Sequence, residues 1–371
     1  MRILINASNL KLGGGVQVAD SVIRELHKFP QHSFVVVCSS VLNHISEEVC
    51  ADNVKFIEYD MPFSLQSMLF GREKFLDKLV EKENIEVVLT VFGPSRWRPK
   101  VRHLSGFAIP HLLIPESPYW QIPAVKRNWK QKIKMLLLRR QFGKDADEYY
   151  TENTFISERF SQLYPKKRVY TITNTYNQVF DEPGRWIDKI KLDNDDTFKL
   201  LTIASYYPHK NIDIIPEVID ILNEKHPSFH FQFVVTVDEK KFWTQNEYSE
   251  QRAASLMFLG KISIEQCPSL YKQCDAMFLP TLLECFSASY AEAMRMERPI
   301  LTSDLGFAHS LCKDAACYFN PTSAEDIADN IYQLATNKEL QQSLVAKGKQ
   351  LLSDFDNAEQ RVQKLIKRLS E

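Results

Sequence analysis

Nowhere in the 371 residues is there a run of about 18 apolar residues, the minimum for a helix that crosses a bilayer. A transmembrane helix is therefore not expected. Met1-Arg2-Ile3-Leu4-Ile5-Asn6 is a short strand pattern followed by polar residues, too short for a secretory signal core. A cytoplasmic chain is expected. The seven cysteines (38, 50, 267, 274, 285, 312 and 317) form no C-x-x-C pair, and their number is odd. That argues for unbridged thiols in a reducing compartment. No Cys/His cluster has the spacing of a zinc site. The formal net charge of −1 gives no global sign of nucleic-acid binding, and no nucleic-acid partner is expected. Short repeats and low-complexity tracts are absent. So is G-x-G-x-x-G, and the run Phe34 to Ser39 closes on Cys38-Ser39-Ser40 without an acidic ribose hook. A dinucleotide-dependent oxidoreductase is thereby disfavoured.

What is present is an ordinary globular composition, 44% apolar and 25% charged, in a chain long enough for two domains. Strand-like runs at 3–5, 33–38, 54–57, 85–90, 105–109, 149–153 and 169–172 alternate with helical stretches such as 16–28. A polar linker, 181–196, follows. The pattern then restarts at 198–204, 231–236, 257–260, 276–279 and 299–302. Such alternation predicts parallel sheets with right-handed crossovers. The expected divisions are residues 1–182, 197–355 and a final helix within 356–371, amphipathic through Val362, Leu365, Ile366 and Leu369.

The most informative stretch is Pro280-Thr281-Leu282-Leu283-Glu284-Cys285-Phe286-Ser287-Ala288-Ser289-Tyr290-Ala291-Glu292-Ala293-Met294. A strand breaks at Pro280 and re-enters as a helix, which sets the loop at the carboxyl edge of a parallel sheet, where open α/β sheets bind ligands. One carboxylate on the loop and one on the helix can accept hydrogen bonds from a polyhydroxylated ligand. An arbitrary pair of glutamates at this spacing would be two solvated side chains; the flanking pattern decides otherwise. Leu279-Pro280-Thr281, Glu284, Phe286, Glu292-Ala293-Met294 and Pro299-Ile300-Leu301-Thr302-Ser303 resemble the signature of the family 4 retaining glycosyltransferases of GT-B fold, of the bacterial surface polysaccharide type. Cys285 and Ser287 stand where that family usually has glycines. The resemblance covers most of the chain and is strongest over about 199–320.

The resemblance implies an α/β protein of GT-B fold: two Rossmann-like domains facing a cleft, the first on the acceptor side and the second binding a nucleotide sugar, with a C-terminal helix able to cross back to the N-terminal domain. It implies donor-binding roles for Gly14, Gly15, Ser205, Lys210, Lys261, Glu284, Phe286, Ser287 and Glu292, and catalytic roles for His111, Lys210 and Glu284. Gly13-Gly14-Gly15, between the first strand and first helix, would expose backbone N–H groups to a phosphate; a flexible turn is the alternative. In Ser205-Tyr206-Tyr207-Pro208-His209-Lys210-Asn211, the Lys-Asn pair matches the family pattern, while Ser205 stands at its arginine. Lys210 would grip the leaving diphosphate, with Lys261 as a substitute second cation. His111, after Phe107-Ala108-Ile109-Pro110, matches a family histidine beside the reacting sugar. Glu292 would hold the ribose hydroxyls and Glu284 the sugar hydroxyls. Asp193-Asn194-Asp195 lies in the linker and reads as solvated, so neither a metal nor a cofactor is expected.

Between positions 126 and 144 fall eight Lys/Arg and no acid, with Trp120, Trp129, Met135 and leucines interspersed. A basic amphipathic helix here could lie on an anionic membrane surface through residues 120–144, or simply pack on the first domain. The expected function is transfer of a hexose-type sugar from a nucleotide diphosphate to a sugar or lipid-linked acceptor hydroxyl with retention of configuration, in polysaccharide or glycolipid assembly. The expected location is cytoplasmic, peripheral on the inner face of the plasma membrane. The rivals are a nucleotide-sugar hydrolase or epimerase of the same fold and a non-catalytic sugar- or lipid-binding subunit.

Overall fold

The computed structural model describes all of residues 1–371 except 63, 65, 66, 68 and 69. The chain forms two compact units. Unit 1 comprises Met1–Pro115, Ala124–Asn174 and Asp356–Glu371; unit 2 comprises Glu116–Pro123 and Thr175–Phe355. The units are therefore not two consecutive stretches of chain. The final helix, Ala358–Ser370, belongs to unit 1, and an eight-residue segment of the first half belongs to unit 2.

Unit 1 is built on β1 (Arg2–Ala7), β2 (Ser33–Cys38), β3 (Val54–Glu58), β4 (Val87–Thr90), β5 (Arg102–Gly106), β6 (Glu148–Thr151) and β7 (Arg168–Thr171). They form one parallel sheet in the order β3-β2-β1-β4-β5-β6-β7. β1 and β2 are nearly unbroken apolar runs because both faces of a parallel sheet are covered; Ile3, Leu4, Ile5 and Phe34 to Cys38 are all buried. Val362, Leu365, Ile366 and Leu369 of the final helix join the core made by Ile3, Val22, Ile23 and Leu26. Arg361 of that helix is buried as well, its Nη1 donating to Asn174 Oδ1.

Unit 2 has β8 (Phe198–Thr202), β9 (Phe231–Val235), β10 (Leu256–Phe258), β11 (Ala276–Leu279), β12 (Ile300–Ser303) and β13 (Cys317–Phe319). This sheet is also parallel, in the order β10-β9-β8-β11-β12-β13. Its core gathers Leu200, Val218, Phe233, Phe278, Leu301, Ile327 and Ile331.

Three features differ from the sequence reading. The fifth strand begins at Arg102, three residues before the apolar run 105–109. Polar Arg102 and His103 are admitted to the sheet because they are satisfied there: Arg102 pairs with Glu148 at 2.8 Å, and the His103 ring lies 2.8 Å from Thr90 Oγ1 and 3.0 Å from the Asp145 carbonyl. The strand ends on Gly106, where a β-carbon would sit 2.0 Å from the Val91 carbonyl oxygen. Second, β13 was not anticipated. Third, the stretch 181–196 is not a loose tether. The Ile187 N–H donates to the Glu265 carbonyl at 2.9 Å, the Leu192 N–H to Gln273 Oε1 at 2.9 Å, and the Lys272 ammonium stands 4.3 Å from the Trp186 ring centroid.

Candidate active site

In unit 2 the strand order reverses between β8 and β11. The loops after those two strands therefore lie at the carboxyl edge beside that reversal, the usual ligand position in open α/β sheets. The β8 loop carries Ser205, His209 and Lys210; the β11 loop carries Thr281, Glu284, Phe286 and Ser287. These loops meet. The Lys210 ammonium is ion-paired to Glu284 Oε1. Thr281 Oγ1 lies 3.1 Å from the same carboxylate oxygen and 3.0 Å from the His209 carbonyl. The Leu282 N–H donates to that carbonyl at 2.7 Å. Ser117, from the short segment unit 2 draws from the first half, donates to the Leu282 carbonyl at 2.6 Å.

Both charges are largely sheltered, with side-chain exposures of 17% for Lys210 and 10% for Glu284. A sheltered pair requires good geometry and extra hydrogen bonds to offset desolvation, and Thr281 supplies one. An ammonium has three donors, and Glu284 occupies one of Lys210's. Glu284 Oε2 accepts no hydrogen bond among the described contacts. The site thus keeps cationic donors and a carboxylate acceptor side by side. The His209 ring is edged by Tyr119 at 6.4 Å and stacked by Tyr207 at 5.7 Å between centroids. Burial, with the Lys210 charge adding to it, pushes its pKa down to about 4. Asn211, in the left-handed conformation at φ 55°, turns the chain after Lys210 and donates from Nδ2 to the Pro321 carbonyl at 2.8 Å.

Glu292 sits on the helix Ala288–Arg295, buried, with Tyr271 Oη donating to its Oε2 at 3.0 Å. Burial pushes this carboxyl up to about 7, opposed in part by the tyrosine hydrogen bond. Its Oε1 accepts nothing among the described contacts. Glu284 and Glu292 are therefore not a solvated pair. Ser287 is buried at the start of this helix, giving no side-chain cap, and Phe286 is half-buried, its ring 6.3 Å from that of Phe355. Cys285 is buried. Two residues expected at the site make no contact with the pair among the described contacts. Ser205 is exposed, its carbonyl accepting from the Tyr207 N–H at 3.0 Å. Lys261 is exposed after Gly260 and makes no ion pair among the described residues.

In unit 1 the order reverses between β1 and β4, and the glycine run follows β1. Gly13, at φ 77°, directs the chain into the helix Gly14–Glu25, whose start has neither a side-chain cap nor an acidic residue in its first turn. Gly13 and Gly14 are exposed, with nothing within 4 Å of a notional β-carbon. These N–H groups can approach an anion closely. His111 is half-buried in the 3-10 turn Pro110–Leu112, after β5.

Sequence reasoning missed Thr281 as a bridge, Ser117 and Tyr119 as parts of unit 2, and Tyr271 as the partner of Glu292. Thr281 stands inside the motif and could have been read as a hydroxyl beside Glu284. The others are distant in sequence and carried no signal. Asp195 pairs with Lys199 at 2.6 Å, in keeping with a local role. Among the described residues, no group of three or more His, Cys, Asp or Glu could hold a metal ion. No described helix is long and apolar enough to cross a membrane.

Residues 185–351 match the family Glycosyl transferases group 1. The relatives include an uncharacterized glycosyltransferase of Methanocaldococcus jannaschii, 20% identical over 362 residues, covering 96% of this chain and 94% of the relative. The O-antigen chain mannosyltransferase RfbU of Salmonella typhimurium is 24% identical over 240 residues, 62% of this chain and 63% of its own. Among solved structures, WaaG, a glycosyltransferase involved in lipopolysaccharide biosynthesis, aligns with a TM-score of 0.67 at 15% identity, covering 100% of this chain and 99% of its own. HepE of Anabaena, solved with UDP and glucose, gives 0.66 at 14% identity with the same coverages. The fold is GT-B, as the motif resemblance implied.

Proposed function

We propose that this protein is a retaining, metal-independent glycosyltransferase that moves a hexose-type sugar from a nucleotide diphosphate to an acceptor hydroxyl in polysaccharide or glycolipid assembly. The observation that carries the reading is the Lys210–Glu284 pair at the β8/β11 reversal, with the unsatisfied edge of Glu292 on the following helix. Lys210, steadied by Glu284, directs its remaining N–H donors to the leaving diphosphate. Glu284 Oε2 accepts from sugar hydroxyls and Glu292 Oε1 from the ribose. The motif resemblance also assigns donor-binding roles to Gly14 and Gly15 and a catalytic role to His111. The bond between the anomeric carbon and the phosphate oxygen breaks, the acceptor oxygen bonds on the same face, and its proton passes to the departing phosphate oxygen. Charge developing on the diphosphate is the quantity such donors stabilise. The O-antigen mannosyltransferase and the lipopolysaccharide enzyme among the relatives support a surface-polysaccharide product.

The test is a thermal-shift screen against nucleotide sugars, since a ligand bound to the native state raises the melting temperature by mass action, followed by NMR of the product anomer. A stabilising donor transferred with its anomeric configuration kept is expected. Donor cleavage at the same rate without acceptor would replace the transferase with a hydrolase, and an inverted anomer would remove the same-face mechanism.

A further inference from the structure

In unit 1 the strands β5, β6 and β7 open on charged residues, Arg102, Glu148 and Arg168. A cavity of about 390 Å³ lies at this amino edge of the sheet, opposite the edge that carries the glycine run and His111. Arg98, Arg102, Arg168, Asp145, Asp147 and Glu148 line it. Two of its acids are held from two sides. Glu148 is buried; Arg102 Nη2 donates to its Oε2 at 2.8 Å, and Arg168 Nη2 donates to its Oε1. Asp147 accepts from Arg98 Nη2 at 2.7 Å and from the Lys167 ammonium at 3.2 Å. Arg98, Arg102, Lys167 and Arg168 thus bracket only Asp147 and Glu148. Asp145 is buried, and burial raises its carboxyl to about 7, so it adds only part of a charge near neutrality. Glu371, also on the wall, is paired with Arg368 at 2.5 Å. Donors are left over. Arg168 Nε and Nη1 and Arg98 Nε donate to nothing among the described contacts, and the two side chains are 69% and 51% exposed.

We propose that this cavity is an accessory site for a small phosphate monoester with a hydroxylated body, its phosphate held by Arg98 and Arg168 and its hydroxyl groups by Asp147 and Glu148. The planar guanidinium fork matches phosphate oxygens two at a time, and a dianion answers the surplus of positive charge. A metal cation would meet that surplus as repulsion. A structural ion-pair ladder accounts for the buried Glu148, but not for the spare donors of Arg98 and Arg168 around an open space. Inorganic phosphate would engage those donors and leave most of the cavity to water, whereas a cavity of this size suits a small organic molecule. Each carboxylate oxygen of Asp147 and Glu148 has a second lone pair to offer, which suits hydroxyl groups. The lining includes none of the residues proposed to take part in transfer. The occupant is therefore a ligand of unit 1 other than the donor, and the inference is independent of the proposed reaction.

The experiment is calorimetric titration of the full chain, at fixed ionic strength, with glucose 6-phosphate, glucose and inorganic phosphate. The proteins are the parent, R98Q/R168Q, K210A and K240Q/K241Q, the last removing two exposed charges of unit 2 as a control. The parent should bind glucose 6-phosphate saturably, inorganic phosphate more weakly and glucose not at all. R98Q/R168Q should bind glucose 6-phosphate at least about tenfold more weakly, because hydrogen bonds to a charged group are lost. It should keep the parent's melting temperature without ligand, since Asp147 retains Lys167 and Glu148 retains Arg102. K210A and K240Q/K241Q should bind as the parent does. No saturable binding by the parent, or undiminished binding by R98Q/R168Q, would overturn the proposal. An equal loss in K240Q/K241Q would reduce it to general attraction by charge, and a loss in K210A would move the ligand to the β8/β11 site. Inorganic phosphate bound as tightly as the ester would remove the hydroxylated body from the proposal. Nucleotide-induced thermal shifts should be the same in the parent and R98Q/R168Q, so failure here leaves the proposed reaction standing.

Discussion

Replacing Glu292 with glutamine should make the protein more stable in mild alkali and a poorer nucleotide binder. The carboxyl is buried, and burial carries it from an ordinary 4.5 to about 7. The folded state therefore holds this proton more tightly than the unfolded chain. The stability it contributes is fully present below about pH 4.5 and is lost as pH rises through about 7. Once the group is charged in both states, the loss is about 3 kcal/mol. Glutamine keeps the shape and an oxygen to accept from Tyr271 Oη, the 3.0 Å contact, but never carries charge. The assay is urea unfolding of parent and E292Q at pH 5 and pH 8. Relative to the parent, E292Q should gain about 2–3 kcal/mol between those values, nearly all of it the parent's own loss. Calorimetry with the nucleoside diphosphate should show affinity at least about tenfold weaker, because a hydrogen bond to a charged acceptor is lost. A stability difference that is the same at both pH values would refute the burial argument. Undiminished affinity would refute the ribose assignment while leaving the electrostatics intact.

Lys210→Ala should cut turnover by roughly 100- to 1000-fold, the loss typical of one preorganised donor at developing charge; a turnover within twofold of the parent, in a folded variant, would show that another cation stabilises the diphosphate. Activity should persist in EDTA, and loss on chelation restored by magnesium or manganese would replace the metal-independent mechanism. Arg361→Met should destabilise unit 1 by about 3 kcal/mol or more at pH 8, because Glu152, buried and raised by burial to about 7, loses the neighbouring charge that opposes the shift. At pH 5, where Glu152 takes a proton, the loss should be smaller; a pH-independent loss would point to packing alone.

Much of the fold was legible in local sequence. Phe34 to Cys38 can hardly be other than a strand covered on both faces, and the spacing of Val362, Leu365, Ile366 and Leu369 makes a one-faced helix. The breaks at Gly13 and Pro280 mark where strands hand over to loops, because glycine permits φ 77° and proline cannot continue a ladder. The motif around Glu284 and Glu292, read from its resemblance to a glycosyltransferase signature, lies within the residues that match the family Glycosyl transferases group 1; its strand end, two acids and helix are all local matters.

Other properties belong to the tertiary structure. Lys210 and Glu284 are 74 positions apart, and only the adjacency of β8 and β11 joins them. Glu292 read as an accessible acceptor; burial pushes its carboxyl up to about 7, against the lowering effect of the hydrogen bond from Tyr271. Arg102 and His103 looked unlike strand residues until Glu148, Thr90 and Asp145 satisfied them. The helix Trp129–Asp145 shows the division most plainly. Its residues specify a helix with eight cations in the surrounding segment, since spacing and charge are properties of the chain. Which of its apolar side chains lie inside is settled by tertiary packing, which sets the Phe142 ring 4.7 Å from that of Phe107 and 6.0 Å from that of Tyr149, because burial is a relation between segments that no single segment contains.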